Sequence, residues 1–137
     1  MVFGVSGQLA QFSYAIIDVM MHLIDIISPI YQDLLKSCER RKIAVNLDVQ
    51  DLTISITDPQ PVEEFLKTEI CRALKNCDKG DKITISETND DELIKLSVRN
   101  SGRNTLLEDE KEKIRALGYD VRARFGFDTI ISLKISR

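Results

Sequence analysis

Residues 61–86 constrain the fold most, because they predict a helix, a tight turn and a strand in direct succession. The first part carries apolar side chains at three- and four-residue steps, which is the spacing of one helix face. These residues are Val62, Phe65, Leu66, Ile70, Ala73 and Leu74, with Glu69 within the same stripe. A turn around Gly80 follows, and Ile83 and Ile85 then alternate with polar residues as in a half-buried strand. This succession is common and by itself indicates no function.

Composition places the chain among ordinary globular domains. Its 137 residues suit one domain, and 43% hydrophobic with 30% charged residues is the usual balance of a soluble protein. The net charge of −3, with both signs well mixed, argues against a nucleic-acid partner. Cys38, Cys71 and Cys77 show no C-x-x-C spacing, so we expect reduced cysteines in the cytoplasm and no metal site.

The N-terminal region predicts a helix over residues 8–41, with two neighbouring apolar stripes. Asp18, Asp25 and Pro29 interrupt the apolar run, so we expect no membrane insertion. Ser28 could cap a second helix that starts at Pro29. We therefore divide the chain into an N-terminal helix, 1–28, and a domain, 29–137. The wide apolar face leaves two interpretations open, a dimerisation helix or a well-buried one.

The remaining elements complete a repeating order of one helix and two strands. Strands are predicted at 42–49, 52–57, 83–86, 93–98, 119–125 and 128–135. A capping-box pattern at Thr105–Glu108 predicts a further helix, which ends at Gly118. This order predicts an α+β two-layer sandwich, with a mixed, mainly antiparallel sheet and helices on one face.

Several segments in this order match a known family. Residues 57–66 begin TDPQ and include FL, residues 69–76 read EICRALKN, residues 79–83 read KGDKI, residues 98–104 read VRNSGRN, and residues 125–129 read FGFDT. Together they resemble the ATP-binding catalytic domain of sensor histidine kinases, whose fold is shared by the gyrase, Hsp90 and MutL ATPases. The resemblance runs from about Pro29 to the C-terminus, and the second of these segments corresponds to the family's Asn-box.

The departures from the family pattern fall on the chemistry. Arg72 stands where the family has the Asn that helps to hold Mg²⁺, and Cys71 replaces the acidic residue before it. Asn100 stands in place of the carboxylate that accepts a hydrogen bond from adenine, and Asn104 in place of a glycine. The lid and the second glycine-rich box have no counterpart. The resemblance therefore implies a vestigial nucleotide pocket, formed by Glu69, Arg72, Lys75, Asn76, Asn100, Gly102 and Asn104.

These changes predict a degenerate domain that has lost ATP binding and needs no cofactor. Such a two-component-type protein would act by binding a response regulator or a kinase, with a homodimer formed through the N-terminal helix. In one alternative the chain is an atypical active kinase or ATPase that uses ATP and Mg²⁺. In another, His22 accepts a phosphoryl group as in a histidine phosphotransferase, although the sequence around it lacks the family's HExRTP pattern.

Two interpretations of Arg72 stay open. The arginine can pair with Glu69 or with another carboxylate. Alternatively, its charge replaces that of the metal and, with Lys75, Arg99 and Arg103 nearby, holds a phosphate or an acidic partner.

Overall fold

A computed structural model describes residues 21–51, 53–102, 106–123 and 129–136, to which all structural statements below refer. The helices are α1 (Leu23–Arg41), α2 (Pro59–Asn76) and α3 (Glu108–Ala116). The strands are β1 (Met21–His22), β2 (Ala44–Val49), β3 (Ser55–Ile56), β4 (Lys82–Asn89), β5 (Leu93–Asn100), β6 (Asp120–Ala123) and β7 (Thr129–Ser136).

Five of these strands form one mixed sheet in the order β2-β4-β5-β7-β6. The pair β2–β4 is parallel because α2 carries the chain back across the sheet between them. The other neighbours are antiparallel. Strands β1 and β3 form a separate antiparallel pair, with Met21 opposite Ile56. A mixed, mainly antiparallel sheet is therefore present, as predicted.

One face of the sheet is apolar and is covered by the helices. The register places Ile83 opposite Asn100, Ile85 opposite Val98 and Glu87 opposite Leu96, and all of these side chains are buried. Helix α1 packs on β2 and α2, α2 packs on β5 and β7, and α3 packs on β6. The other face is polar; on it, the hydroxyls of Ser97 and Ser132 lie 2.8 Å apart in a cross-strand hydrogen bond. The predicted two-layer α+β sandwich with helices on one face is confirmed.

Glu87 is a buried carboxylate on the covered face, 1% exposed. One of its oxygens accepts the backbone N–H groups of Gln50 and Asp51, at 2.6 and 3.1 Å. The other accepts from the side-chain amide of Asn89. These bonds satisfy the carboxylate, so its role is to fasten the turn that follows β2 to the sheet.

Helix α1 corrects two expectations about the N-terminal region. Residues 21–22 form a strand, not part of the predicted helix, and α1 runs through Ser28 and Pro29 without a break. A proline inside a helix costs about 3 kcal/mol. Burial of Leu23, Ile26 and Ile27 before the proline offsets this, since each buried side chain contributes about 1.5–3 kcal/mol. The interpretation as two helices is therefore wrong, while the predicted helix over residues 8–20 lies outside the described residues.

Helix α2 begins as the sequence predicts. The side chain of Asp58 accepts the backbone N–H of Gln60 at 3.3 Å, and Pro59 and Pro61 occupy the first turn. The predicted stripe, with Glu69 in it, packs toward the sheet and α1.

Helix α3 begins later than predicted, at Glu108 instead of Thr105. The Glu110 carboxylate accepts the backbone N–H of Leu107 at 3.2 Å and so supports the new start. None of the helices in the described ranges has the length and apolar content needed to cross a membrane.

Candidate functional site

The centre of the candidate site is an ion pair on α2. Glu69 and Arg72 are three positions apart, so both side chains project from neighbouring points on one helix face. Arg72 Nε donates to Glu69 Oε1 at 2.8 Å. The Glu69 side chain is fully buried, whereas that of Arg72 is 28% exposed. Glu69 Oε2 has no hydrogen-bond partner among the described residues, so Arg72 is the principal compensation for a buried negative charge.

The buried charge of Glu69 also acts on the connection after α3. Tyr119 packs edge-on against Phe65, with 4.9 Å between ring centroids and 79° between ring planes. Burial raises the pKa of the Tyr119 phenol, and the charges of Glu69 and Glu64 raise that pKa further. The carboxylate of Glu69 therefore influences both the Arg72 guanidinium and the Tyr119 ring.

A cavity of about 420 Å³ opens beside the ion pair. Helix α2 forms one wall, with Thr68, Cys71, Arg72, Lys75 and Asn76. The opposite wall contains Leu106 and Glu110, which belong to the start of α3 and the residues before it. The lining is thus mostly polar, with two cationic side chains on the α2 side.

The turn after β5 lies next to the end of α2 that carries Asn76. Asn100 is 3% exposed, and its Oδ1 accepts the backbone N–H of Gly102 at 3.1 Å. A Cβ atom on Gly102 would lie 2.0 Å from the backbone carbonyl oxygen of Asn76, so this position admits only glycine without movement. The turn therefore packs directly against the C-terminal end of α2.

Cys77 joins the same corner to α1. Its backbone carbonyl accepts from Arg41 Nη2 at 2.7 Å. Burial, and secondarily the charge of Asp81, raise the pKa of the Cys77 thiol to about 11, while the backbone N–H of Gly102 acts to lower it. Burial also raises the pKa of Cys38. Both thiols are free and buried, so the structure assigns them packing roles.

Comparisons with known proteins identify the fold in which this site lies. No protein-family model matches the sequence, and no curated protein matches it. The catalytic domain of histidine kinase ThkA superposes with a TM-score of 0.72 at 16% identity, covering 85% of this chain and 93% of that domain. This chain has the histidine kinase catalytic-domain fold. The Acinetobacter baumannii histidine kinase AdeS is also similar, with a TM-score of 0.68 at 19% identity over 85% of this chain and 66% of that chain. The mycobacterial sensor histidine kinase MprB has a TM-score of 0.61 at 13% identity over 85% of this chain and 95% of that chain.

Within this histidine-kinase fold, part of the predicted pocket comes together. Arg72, Lys75 and Asn76 line the cavity, and Glu69 lies behind Arg72. Asn100 and Gly102 are next to the end of α2 but are not among the described residues that line the cavity. The predicted site residue Asn104 lies outside the described residues, as does Arg103.

His22 is not part of a helix. It is the second residue of β1, its side chain is 57% exposed, and its Nδ1 lies 3.7 Å from Asp25 Oδ2. The expectation that it lies on an apolar helix is therefore wrong, because pairing of Met21 and His22 with β3 takes precedence over the helical pattern.

Thr68, Leu106 and Glu110 were not predicted as site residues. Thr68 precedes Arg72 by four positions, so helical spacing alone could have placed it on the same face. Leu106 and Glu110 reach the site through tertiary packing, which no local pattern indicates.

Proposed function

We propose that this chain is a two-component-type signalling protein whose histidine-kinase-type domain does not bind ATP–Mg²⁺ and acts by binding other proteins. The observation that carries the proposal is the Glu69–Arg72 pair at the edge of the cavity. The family resemblance puts a metal-holding Asn at the position of Arg72. A guanidinium has donors only, whereas Mg²⁺ requires oxygen ligands, so Arg72 cannot take over that role.

Asn100 supports the same proposal. The family carboxylate at its position accepts a hydrogen bond from adenine, but the oxygen of the Asn100 amide already accepts the N–H of Gly102. An uncharged amide oxygen with one of its two lone pairs already engaged is a weaker acceptor for an adenine amino group than a carboxylate. Two of the contacts that a nucleotide would need are thus replaced by internal bonds.

A response regulator or a kinase is the proposed partner class. The support is a solved structure of ThkA in complex with the response regulator TrrA, which is similar to this chain with a TM-score of 0.71 at 17% identity and covers 85% of this chain. This chain spans 41% of that structure's chain. A cytoplasmic location belongs to the same proposal.

Dimerisation through residues 1–28 remains a proposal, with one observation against it. Within the described part of that segment, Leu23, Ile26 and Ile27 are buried in the core of the same chain. Those side chains are therefore not available to a second copy, which favours the interpretation of a well-buried helix there.

Isothermal titration with ATP–Mg²⁺ tests the loss of nucleotide binding. An active histidine kinase catalytic domain, titrated in parallel, serves as the positive control. We expect only heat of dilution from this chain, and a micromolar dissociation constant would refute the proposal.

The second candidate function is an atypical kinase or ATPase module. Its support is that the cavity beside α2 is open, with a volume of about 420 Å³, and that Asn76 and Gly102 match the family pattern. Incubation with radiolabelled ATP and a response regulator distinguishes the two functions, since a non-catalytic domain transfers no label. If label is transferred, the His22→Gln variant decides whether the exposed histidine carries it.

A further inference from the structure

We propose that the cavity beside α2 is a metal-free anion site that takes a phosphate group. The inference rests on the proposed function, because it assumes that cationic side chains have replaced the metal. It assigns Arg72 and Lys75 as the binding residues, Thr68 and Asn76 as supporting donors, and Glu69 as a positioning residue.

The Arg72 guanidinium carries N–H donors that Glu69 does not engage. Glu69 engages the Nε–H group of the guanidinium, and the two terminal nitrogens have no partner among the described residues. Those nitrogens carry four N–H donors in a fixed plane, which is the arrangement that binds phosphate oxygens in pairs. Glu69 therefore orients the Arg72 guanidinium at the cavity, and its terminal N–H groups remain available to bind an anion.

A second cation lines the same wall. Lys75 follows Arg72 by three positions and borders the cavity, and its ammonium group likewise has no partner among the described residues. Thr68 adds a hydroxyl donor and Asn76 an amide donor. Two cations and two neutral donors on one helix face form a donor set that suits a phosphate dianion.

The opposing charges do not cancel this set. Glu69 is buried behind Arg72 and is compensated by it. Glu110 lies on the far wall, but its carboxylate accepts the N–H of Leu107 at the start of α3 and is held there. An anion close to α2 therefore contacts the two cations directly, with one carboxylate across the cavity.

The chemical class follows from the same contacts. The cavity is large enough for inorganic phosphate, triphosphate or the phosphate end of a nucleotide, since small-molecule pockets range upward from about 300 Å³. The donors recognise phosphate oxygens, and Asn100, the counterpart of the family's adenine-binding carboxylate, is not among the described residues that line the cavity. We therefore expect inorganic triphosphate and metal-free ATP to bind with equal affinity.

The test is a titration of the ¹⁵N-labelled chain by NMR in excess EDTA. The probes are inorganic phosphate, inorganic triphosphate and ATP, each added to wild type, Arg72→Gln, Lys75→Gln and Lys67→Gln. Lys67 is the matched control, because it lies on α2 outside the cavity and pairs with Glu63 at the surface. Thermal unfolding of each variant confirms that it is folded before titration.

The expected result is saturable shifts at the α2 residues that line the cavity, without any metal. Affinity should fall at least about tenfold in Arg72→Gln and in Lys75→Gln, since each variant loses a charge-assisted hydrogen bond to the anion. Affinity should stay unchanged in Lys67→Gln. Glu69→Ala should also weaken binding, although Glu69 does not touch the anion, because it frees the guanidinium. Glu69→Gln should retain more affinity than Glu69→Ala, because its amide oxygen can still accept from Nε.

Three results would overturn the inference: no saturable shift with any probe, equal losses in Lys67→Gln and Arg72→Gln, or binding that appears only when Mg²⁺ is added. The last result would overturn the proposed function as well, whereas the first two would leave it intact. Tighter binding of ATP than of triphosphate would identify a nucleotide as the source of the phosphate and contradict the expectation of equal affinity.

Discussion

The interaction between Glu69 and Arg72 can be measured by a double-mutant cycle. Arg72→Gln removes the charge that compensates a fully buried carboxylate. Breaking a buried ion pair in this way costs about 3–5 kcal/mol, and because Arg72 is 28% exposed, solvent screening reduces our expectation to about 2 kcal/mol. Glu69→Gln keeps the shape, leaves Arg72 with access to water, and should cost about 1 kcal/mol.

The double variant carries two neutral amides at this position. We expect it to be more stable than the sum of the single losses predicts, with a coupling energy of about 1–2 kcal/mol. Urea unfolding of the four proteins at constant m-value gives this energy directly. The matched control is the cycle on Glu63 and Lys67, an exposed pair on the same helix whose atoms lie 3.7 Å apart. Its coupling should not exceed about 0.5 kcal/mol.

The result that refutes this reasoning is a Glu69–Arg72 coupling no larger than that of the control pair. Such a value would mean that the buried carboxylate is compensated by something other than Arg72. The guanidinium would then not be held at the edge of the cavity by Glu69.

Four further predictions concern other parts of the described fold. Gly102→Ala should destabilise the fold by about 1–3 kcal/mol, because the added methyl group would overlap the backbone of Asn76. Gly80→Ala should cost less, because only a left-handed φ of +92° opposes that change. Equal losses of stability in urea unfolding would contradict this. In the native state a thiol reagent should modify exposed Cys71 rapidly and buried Cys77 slowly, and equal rates would exclude the described burial. Folding raises the pKa of the Cys77 thiol from 9.0 to about 11. The stability that the neutral thiol contributes is therefore complete below pH 9 and is lost as the pH rises toward 11. A free energy of unfolding that does not change over this pH range would contradict the prediction. Glu87→Ala should cost about 2–4 kcal/mol, since it leaves two backbone N–H groups without their acceptor, and Glu87→Gln should cost less. If neither variant shifts the urea midpoint of unfolding, the role assigned to Glu87 is refuted.

The sequence predicted the fold where local patterns and burial agree. The stripe from Val62 to Leu74 and the alternation around Ile83 follow directly from periodicity, and the structure contains the corresponding helix and strand. Near Pro29 the local pattern and the tertiary packing disagree. The local rule ends or starts a helix at the proline, but apolar burial on both sides keeps one helix.

The site was predicted less completely than the fold. Spacing allowed Arg72 to pair with Glu69, and the pair is present, but spacing did not show that the carboxylate is fully buried. The close contact between Gly102 and the end of α2, and the position of Glu110 across the cavity, depend on how α3 and the turn after β5 pack. Both arise from contacts between residues that are far apart in the sequence, so local periodicity could not predict them.

The most direct test of the central claim is the effect of Mg²⁺ on ATP affinity. A magnesium site formed by oxygen ligands makes nucleotide binding depend on the metal, whereas a site in which Arg72 and Lys75 supply the positive charge does not. ATP is titrated into the wild-type chain by calorimetry or NMR, once in excess Mg²⁺ and once in excess EDTA. We predict that ATP binds in excess EDTA and that excess Mg²⁺ removes this binding, because the metal competes with the two side chains for the phosphates. An affinity in Mg²⁺ that equals or exceeds the affinity in EDTA would contradict this prediction.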